Sequence, residues 1–386
     1  MSSRGHRVTV EAPRVAQAGT RQRDLPALQL GTDPAGENDR ASSSLGSSTG
    51  FDAHLGPWSG RYFGSGYRRV HHMLSALTLT AGIDREFELA GSGSVEYPAD
   101  WSTDSHGESR QPHLSTIDAI VLSVRLAEAF LRHVDNLTEA EIAHAWLADV
   151  EIKAGASPND KLEIVSLHCA RTSHELLGEE CESAFRVRVG TMSVSMRIRH
   201  GVTAVIDDAG EANALRSTIP ALTDQEGPLT GLYRDTIHLS SLDLGGVAGG
   251  ESLRARHEIL PVRSTGISGL ESAYWPSATI VDALVLSSQM AQVLIFTAPG
   301  ISRATVSNLW MRRARFTATA PPGRTGTDDT TLRIAKRRSF DRGASGSLHS
   351  VDVQCPNLFG VVATASLAFV LPALAPTRHL PADTSE

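Results

Sequence analysis

Two tandem α+β units, each a long helix wrapped by antiparallel strands, are predicted by three features of the chain: an internal repeat, one long apolar segment in each copy, and short alternating segments on either side of it. The predicted architecture is a double hot-dog, with each helix enclosed by a curled sheet. Pro112-His-Leu-Ser-Thr-Ile-Asp118-Ala-Ile-Val-Leu-Ser-Val-Arg-Leu-Ala-Glu-Ala-Phe-Leu131 aligns with Pro276-Ser-Ala-Thr-Ile-Val-Asp282-Ala-Leu-Val-Leu-Ser-Ser-Gln-Met-Ala-Gln-Val-Leu-Ile295 at an offset of 164, with seven identities. The pairs are Pro112/Pro276, Asp118/Asp282, Ala119/Ala283, Val121/Val285, Leu122/Leu286, Ser123/Ser287 and Ala127/Ala291. The same offset brings Trp146 onto Trp310 and Ala154 onto Ala318 without a gap.

Each long segment opens with Pro and Ser/Thr, as helix starts do, and is apolar on nearly every side, so it must be covered all round. The cover is expected from strands at Met73–Thr80, Glu86–Ala90, Ala145–Ala154, Leu162–Ala170, Phe185–Val189 and Met192–Ile198. In the second copy it comes from Ile237–Leu242, Leu253–Leu260, Trp310–Ala318, Leu332–Lys336, Ser350–Val353 and Val361–Val370. A βαβ reading fails because each copy offers only one good long helix. The expected domains are residues 51–215 and 216–373, flanked by disordered tails at 1–50 and 374–386 that lack the apolar residues needed to offset ordering entropy. Pro321-Pro322-Gly-Arg-Thr-Gly-Thr-Asp-Asp reads as a long turn.

A length of 386 residues suits two such units, and a net charge of −7 with 41% apolar residues gives no electrostatic reason for a nucleic-acid partner. Cys169, Cys181 and Cys355 show neither zinc spacing nor an even count, so they read as buried, unreactive thiols. With no apolar leader segment and no run of membrane-spanning length, a cytoplasmic location without membrane association is expected. Neither a metal site nor a cofactor is called for.

The repeated Asp118 and Asp282 sit near the starts of apolar helices, where burying a carboxylate is costly unless helix amides or polar partners meet it. One reading is a cap that repeats with the scaffold. The other is catalysis or ligand binding by at least one copy. The copies diverge where His113 faces Ser277 and Arg125 faces Gln289. His113 is placed to be a general base oriented by Asp118, or is a surface histidine at the helix entry. Arg125 and Glu128, three apart, read as a buried ion pair.

The stretch Leu55-Gly-Pro-Trp-Ser-Gly-Arg-Tyr62-Phe-Gly64-Ser-Gly66-Tyr67-Arg68-Arg69-Val-His71-His72 is rich in groups that grip a carboxylate, phosphate or sugar hydroxyl, and its glycines would let backbone approach a ligand. The alternative is a glycine turn with solvated arginines. Tyr62, Tyr67, Arg68, Arg69, Trp101 and Gln289 are the candidate substrate-binding residues. His71 and His72 on one strand would face opposite ways and make a poor chelating pair.

These segments, together with Tyr97-Pro-Ala-Asp100-Trp101-Ser-Thr, His113-Leu-Ser-Thr-Ile-Asp118 and Ala145-Trp146-Leu-Ala-Asp-Val-Glu-Ile-Lys153-Ala-Gly, resemble the avirulence D protein family of plant-associated pseudomonads and actinomycetes, over roughly residues 52 to 372. The resemblance implies an enzyme of secondary metabolism that condenses a 3-oxoacyl thioester, bound to acyl carrier protein or CoA, with a pentulose-like sugar to give a syringolide- or butenolide-type signalling lipid. It also implies kinship with butyrolactone-forming synthases and thioester dehydratases. Asp118 and Asp282 are similar to the acid of the dehydratase pattern, but the glycine-spaced His motif of the dehydratase first half is absent. The expected catalytic set is therefore His113, Asp118 and Asp282, with His113 taking the acceptor proton, helix amides holding the thioester carbonyl, and a homodimer as a further expectation. Rival readings are a thioesterase or hydratase, and a non-catalytic binder of acyl or lactone signals.

Overall fold

A computed structural model describes residues 50–81, 87–103, 107–202, 216–220, 227–244, 251–263, 265–297, 301, 306, 309–343 and 346–372. The tails expected over 1–50 and 374–386 lie outside the described residues, apart from Gly50. Strands β1 (His71–Leu74), β2 (Leu77–Ala81) and β3 (Phe87–Glu96) precede the first long helix, α1 (Thr116–His133). After it come β4 (Trp146–Lys153), β5 (Val165–Leu177), β6 (Glu180–Val189), β7 (Met192–Gly201) and β8 (Arg216–Ile219). Then β9 (Thr236–Asp243) and β10 (Ser252–Pro261) precede α2 (Ile280–Phe296), which is followed by β11 (Leu309–Ala318), β12 (Thr327–Asp341), β13 (Ser347–Leu358) and β14 (Val361–Leu371).

All these strands join one antiparallel sheet in the order β8-β2-β3-β5-β6-β7-β4-β11-β14-β13-β12-β10-β9, with β1 also paired to β3. A large antiparallel sheet with few helices is what the hot-dog class requires. The order reads nearly the same from both ends: β2-β3-β5-β6-β7-β4 mirrors β9-β10-β12-β13-β14-β11. At the centre, β4 and β11 pair with Glu151 opposite Arg315. Those two residues are themselves 164 apart, so a pseudo-twofold axis passes between them. Arg315 Nε donates to Asp149 at 2.9 Å and Arg313 to Glu151 at 2.9 Å, tying the seam with charge-assisted bonds.

The predicted apolarity of both helices is explained by their cover. Every residue of α1 from Ile117 to Leu131 is buried, and α2 is buried from Ile280 to Ile295 apart from Ser288 and Gln292. Helix α1 packs against β1 and β3 to β7, and α2 against β10 and β12 to β14. Each large apolar side chain so enclosed contributes about 1.5–3 kcal/mol relative to exposure. The predicted strand Met73–Thr80 is split at Ser75-Ala76 into β1 and β2, while β5, β6, β12 and β13 run longer than their apolar cores. No strand was expected at β8, which extends the first half's edge by pairing with β2. Cys169, Cys181 and Cys355 are buried and free. No helix among the described residues is long and apolar enough to cross a membrane.

Beneath α2, the fully buried His257 of β10 lies between Ser240 Oγ, 2.8 Å from Nδ1, and Met290 Sδ, 3.4 Å from Nε2. Burial pushes its pKa down to about 4, with His238 acting in the same direction and Asp329 against it. The unfolded chain takes up this proton below its ordinary 6.5, whereas the folded protein resists until about 4. Stability is therefore lost as pH falls through that window, by about 3 kcal/mol from this group. His257→Gln, compared with wild type in urea unfolding at pH 7 and pH 4.5, is expected to show a smaller acid loss. An equal loss in both proteins would rule out the contribution.

Candidate active site

Asp118 and Asp282 both occupy the third position of their helices and both close capping boxes. The Ser115 amide donates to Asp118 Oδ2 at 2.7 Å while the Asp118 amide donates to Ser115 Oγ at 3.2 Å. In the second helix the Thr279 amide and hydroxyl donate to Asp282 Oδ2 at 2.8 and 2.7 Å. The capping reading is thus observed in both copies, and the helix N-terminus favours the charge it holds.

Capping leaves one carboxylate oxygen over, and in each copy a histidine takes it. His72 Nε2 lies 2.8 Å from Asp118 Oδ1, with both side chains fully buried. His238 Nε2 lies 2.7 Å from Asp282 Oδ1. The His72 tautomer follows from its other nitrogen: Arg234 Nη2 approaches Nδ1 at 3.0 Å, and a guanidinium can only donate. Nδ1 therefore accepts, Nε2–H donates to Asp118, and the ring is neutral. Burial lowers the His72 pKa and the Arg234 and Arg125 charges add to this, against the pull of Asp118. For Asp282, burial alone would raise the pKa, but His238 and the Thr279 donors outweigh it and the net shift is downward.

The two stations interlock. Tyr67-Arg68 and Tyr233-Arg234 are equivalent turns, each five residues before its own histidine when counted from the tyrosine. Arg234 crosses to the first copy's His72, and Arg68 crosses to the second copy's backbone, donating to the carbonyls of Arg234 at 2.8 Å and of Thr236. Between them the Tyr67 and Tyr233 rings stack at 6.1 Å and 14°. Arg61 extends the crossing: it is buried, pairs with Asp52, and donates to Gln289 Oε1 on α2.

The copies differ in what completes the carboxylate shell. On Asp118 the third donor is the Tyr97 hydroxyl, and the Tyr62 hydroxyl reaches Ser115 Oγ. On Asp282 the Thr279 hydroxyl already supplies a third donor, and the Thr236 hydroxyl at 3.2 Å is a fourth. Burial followed by the Asp118 charge raises the pKa of both Tyr62 and Tyr97, so both remain phenols. Tyr97 also lines an open pocket of about 520 Å³ with Arg68, Arg69, His71, Glu96 and Pro98.

Several expectations need correction. His113 is exposed; its Nδ1 lies 3.4 Å from the Gln111 carbonyl and its ring meets Trp101 edge-on, so the structure does not bring it to Asp118. Arg125 and Glu128 turn to different partners: Arg125 donates to the His72 carbonyl at 3.0 Å, whereas Glu128 is held by Arg132 at 2.6 Å. Trp101 is buried and anchored to the Arg110 carbonyl at 2.9 Å, Tyr67 is buried in the ring stack, and Gln289 is taken up by Arg61. Arg69 pairs with Asp100 at the pocket. Gly64 and Gly66 admit protein backbone rather than a ligand: a Cβ would stand 2.1 Å from the Trp58 carbonyl oxygen at the first and 1.9 Å from that of Trp101 at the second. His71 and His72 do face opposite ways, and the buried one is the hydrogen-bond partner of Asp118 that sequence reasoning passed over.

His72→Ala would leave a buried carboxylate and a guanidinium each short of a partner, so a loss of about 3 kcal/mol in urea unfolding is expected. His113→Ala should change stability by no more than about 0.5 kcal/mol. Equal effects of the two substitutions would refute the assignment of His72 as the partner of Asp118.

The sequence model of a family described as "Pseudomonas avirulence D protein (AvrD)" matches residues 46–372. No curated protein matches the chain. Among solved structures, a conserved protein of unknown function with hot dog fold from Alicyclobacillus acidocaldarius is similar at 12% identity and TM-score 0.33, covering 77% of this chain and 96% of that one. The acyl-CoA thioesterase II TesB2 from Mycobacterium marinum is similar at 11% identity and TM-score 0.31 (60% and 83% covered). The 12:0-ACP thioesterase from Umbellularia californica is similar at 10% and 0.28 (67% and 91% covered).

Proposed function

The chain belongs to the avirulence D family, and from that premise we propose that it is a biosynthetic enzyme built as two tandem hot-dog units, condensing a 3-oxoacyl thioester with a pentulose-like sugar at the Asp118 station. The observation that carries this reading is Tyr97, whose hydroxyl is bonded to the buried Asp118 and which is itself one of the residues lining the pocket edged by Arg68, Arg69 and His71. Support for two units comes from the mirrored strand order and the equivalent helix caps.

In this reading the pocket cations hold the sugar or a phosphate on it. The Arg68 Nε–H, buried and without a partner among the described residues, is a donor left for a ligand oxygen. A sugar hydroxyl attacks the thioester carbonyl; its proton passes to the Tyr97–Asp118 pair and from there to the departing thiolate, so that an ester forms and a thiol leaves. The same pair then removes a proton from the carbon between the two carbonyls of the new 3-oxoacyl ester. That carbon attacks the sugar ketone, closing the carbon–carbon bond, and the alkoxide takes the proton back. His72 is neutral and engaged at both nitrogens, so it orients Asp118 instead of carrying the proton. Tyr97–Asp118 replaces His113 as the base.

Purified protein supplied with a 3-oxoacyl thioester of CoA or acyl carrier protein is expected to release thiol only when pentulose is present. Tyr97→Phe and Asp118→Asn should each slow that release at least about 100-fold, with His113→Ala near wild type. Sugar-independent thiol release would make the protein a thioesterase. Intact thioester recovered after long incubation with the sugar would make it a binder.

A further inference from the structure

A second pocket, of about 290 Å³, opens where the seam strand β4, the start of α2 and two hairpins meet. Its walls are almost wholly apolar, among them Leu147, Ile280, Pro322, Phe359 and Val361, and its one ionisable lining group is Glu271. Glu271 is 1% exposed. Its amide donates to the Ala145 carbonyl at 2.9 Å and its Oε1 accepts from the Leu147 amide at 3.0 Å, strapping it to the start of β4. Oε2 is buried and has no partner among the described residues. A buried carboxyl oxygen without a partner is costly, and its persistence calls for a ligand.

The duplication sharpens the point. Glu271 holds a left-handed backbone, with φ of 70°, which non-glycine residues seldom adopt. The position 164 residues earlier is Gly107, also left-handed at φ of 81°. The first copy thus has the residue the conformation favours, and the second keeps a glutamate there despite the strain. The walls differ too: Leu147 and Ile280 correspond to Met311 and Thr116, and in the first copy the Met311 thioether lies 3.5 Å from the Thr116 hydroxyl.

We propose that this pocket binds an uncharged apolar carbonyl compound, a ketone, ester or lactone, whose carbonyl oxygen accepts a hydrogen bond from Glu271 Oε2–H. Burial pushes the Glu271 pKa up to about 8, with the Leu147 amide opposing and Asp282 reinforcing the shift, so at neutral pH the carboxyl is protonated and donates. The charges nearest it are carboxylates held by backbone amides, one of them also paired with Arg132. From α1, Glu128 holds the Leu270 amide at 3.5 Å, and from β12, Asp328 holds the amide of Phe359. Tyr274 lies on the same turn, and Arg324, next to the lining Gly323, is exposed. Among the described residues no cation lines the pocket to meet an anionic ligand, whereas a neutral acceptor needs none. The site is independent of the Asp118–Tyr97 reading, since it is tested by binding and not by turnover.

The test is calorimetric titration of the full chain with 2-nonanone. Wild type is expected to bind at pH 6.5 and about thirtyfold more weakly at pH 9.5, where only about 3% of Glu271 stays protonated. E271Q supplies an amide donor at Oε2 while its amide oxygen still accepts from Leu147, so it should bind at both pH values with little difference between them. A320W places an indole at the exposed rim of the pocket and should abolish binding at pH 6.5. Absence of wild-type binding at pH 6.5, equal wild-type binding at the two pH values, or unimpaired binding by A320W would each overturn the proposal. If E271Q does not fold, the wild-type pH comparison and A320W still decide it.

Discussion

The bond from Arg234 to His72 orders both halves of the molecule at once. A guanidinium has no acceptor and does not lose its proton, so it fixes which nitrogen of His72 carries hydrogen. That hydrogen in turn meets Asp118, whose second oxygen closes the cap of α1. A side chain of the second half thus sets the tautomer at the helix start of the first. Arg68 makes the reciprocal crossing onto the backbone of Arg234 and Thr236, and the stacked Tyr67 and Tyr233 fill the space between the two arginines. Each half thus reaches across to the other beside a helix start, and the continuous sheet, with equivalent residues paired at its seam, joins the same two halves.

Burying such groups is expensive, and their arrangement shows how the cost is contained. Each aspartate receives donors from a helix amide, a histidine and a hydroxyl, so no oxygen is left without a partner. Holding the histidines neutral avoids burying a second charge beside each carboxylate. The network specifies register as well as stability: sliding one half along the other would leave Arg234, His72 and Asp118 all unmatched.

The helices and most strands were legible because an all-round apolar helix and alternating strands leave strong periodic signals, and because the repeat at offset 164 doubled each one. The site was legible only in part. Both aspartates stand out as charges in apolar segments, but their histidine partners lie 46 and 44 residues upstream, on strands whose distance from the helix no local pattern encodes. A signal existed: Tyr-Arg followed by His recurs at Tyr67/His72 and Tyr233/His238, at offset 166 instead of 164, and a search for one constant offset passes it by. His113 drew attention through proximity in sequence. It precedes the helix, with Leu114 and Ser115 between it and the first turn, and lies at the surface, where it meets Trp101. The glycines Gly64 and Gly66 were read as places where backbone approaches a ligand; what comes close is the carbonyls of Trp58 and Trp101, and sequence gives no means of telling the two apart.

Duplication meets the conditions that stabilise the frame twice, while the groups around each helix start are free to diverge. Where the first copy puts the Tyr97 phenol against its aspartate, the second puts the small Thr236 hydroxyl, and Tyr97 is also one of the residues lining the open pocket beside the first station. Where the first copy relaxes a left-handed turn with Gly107, the second bears the strain of Glu271 and aims a carboxyl into apolar space. The two departures lie in opposite copies, and each retains the helix cap beside it intact. The caps therefore fix where the helices begin, and the residues that are not shared between copies give each helix start its own chemical surroundings.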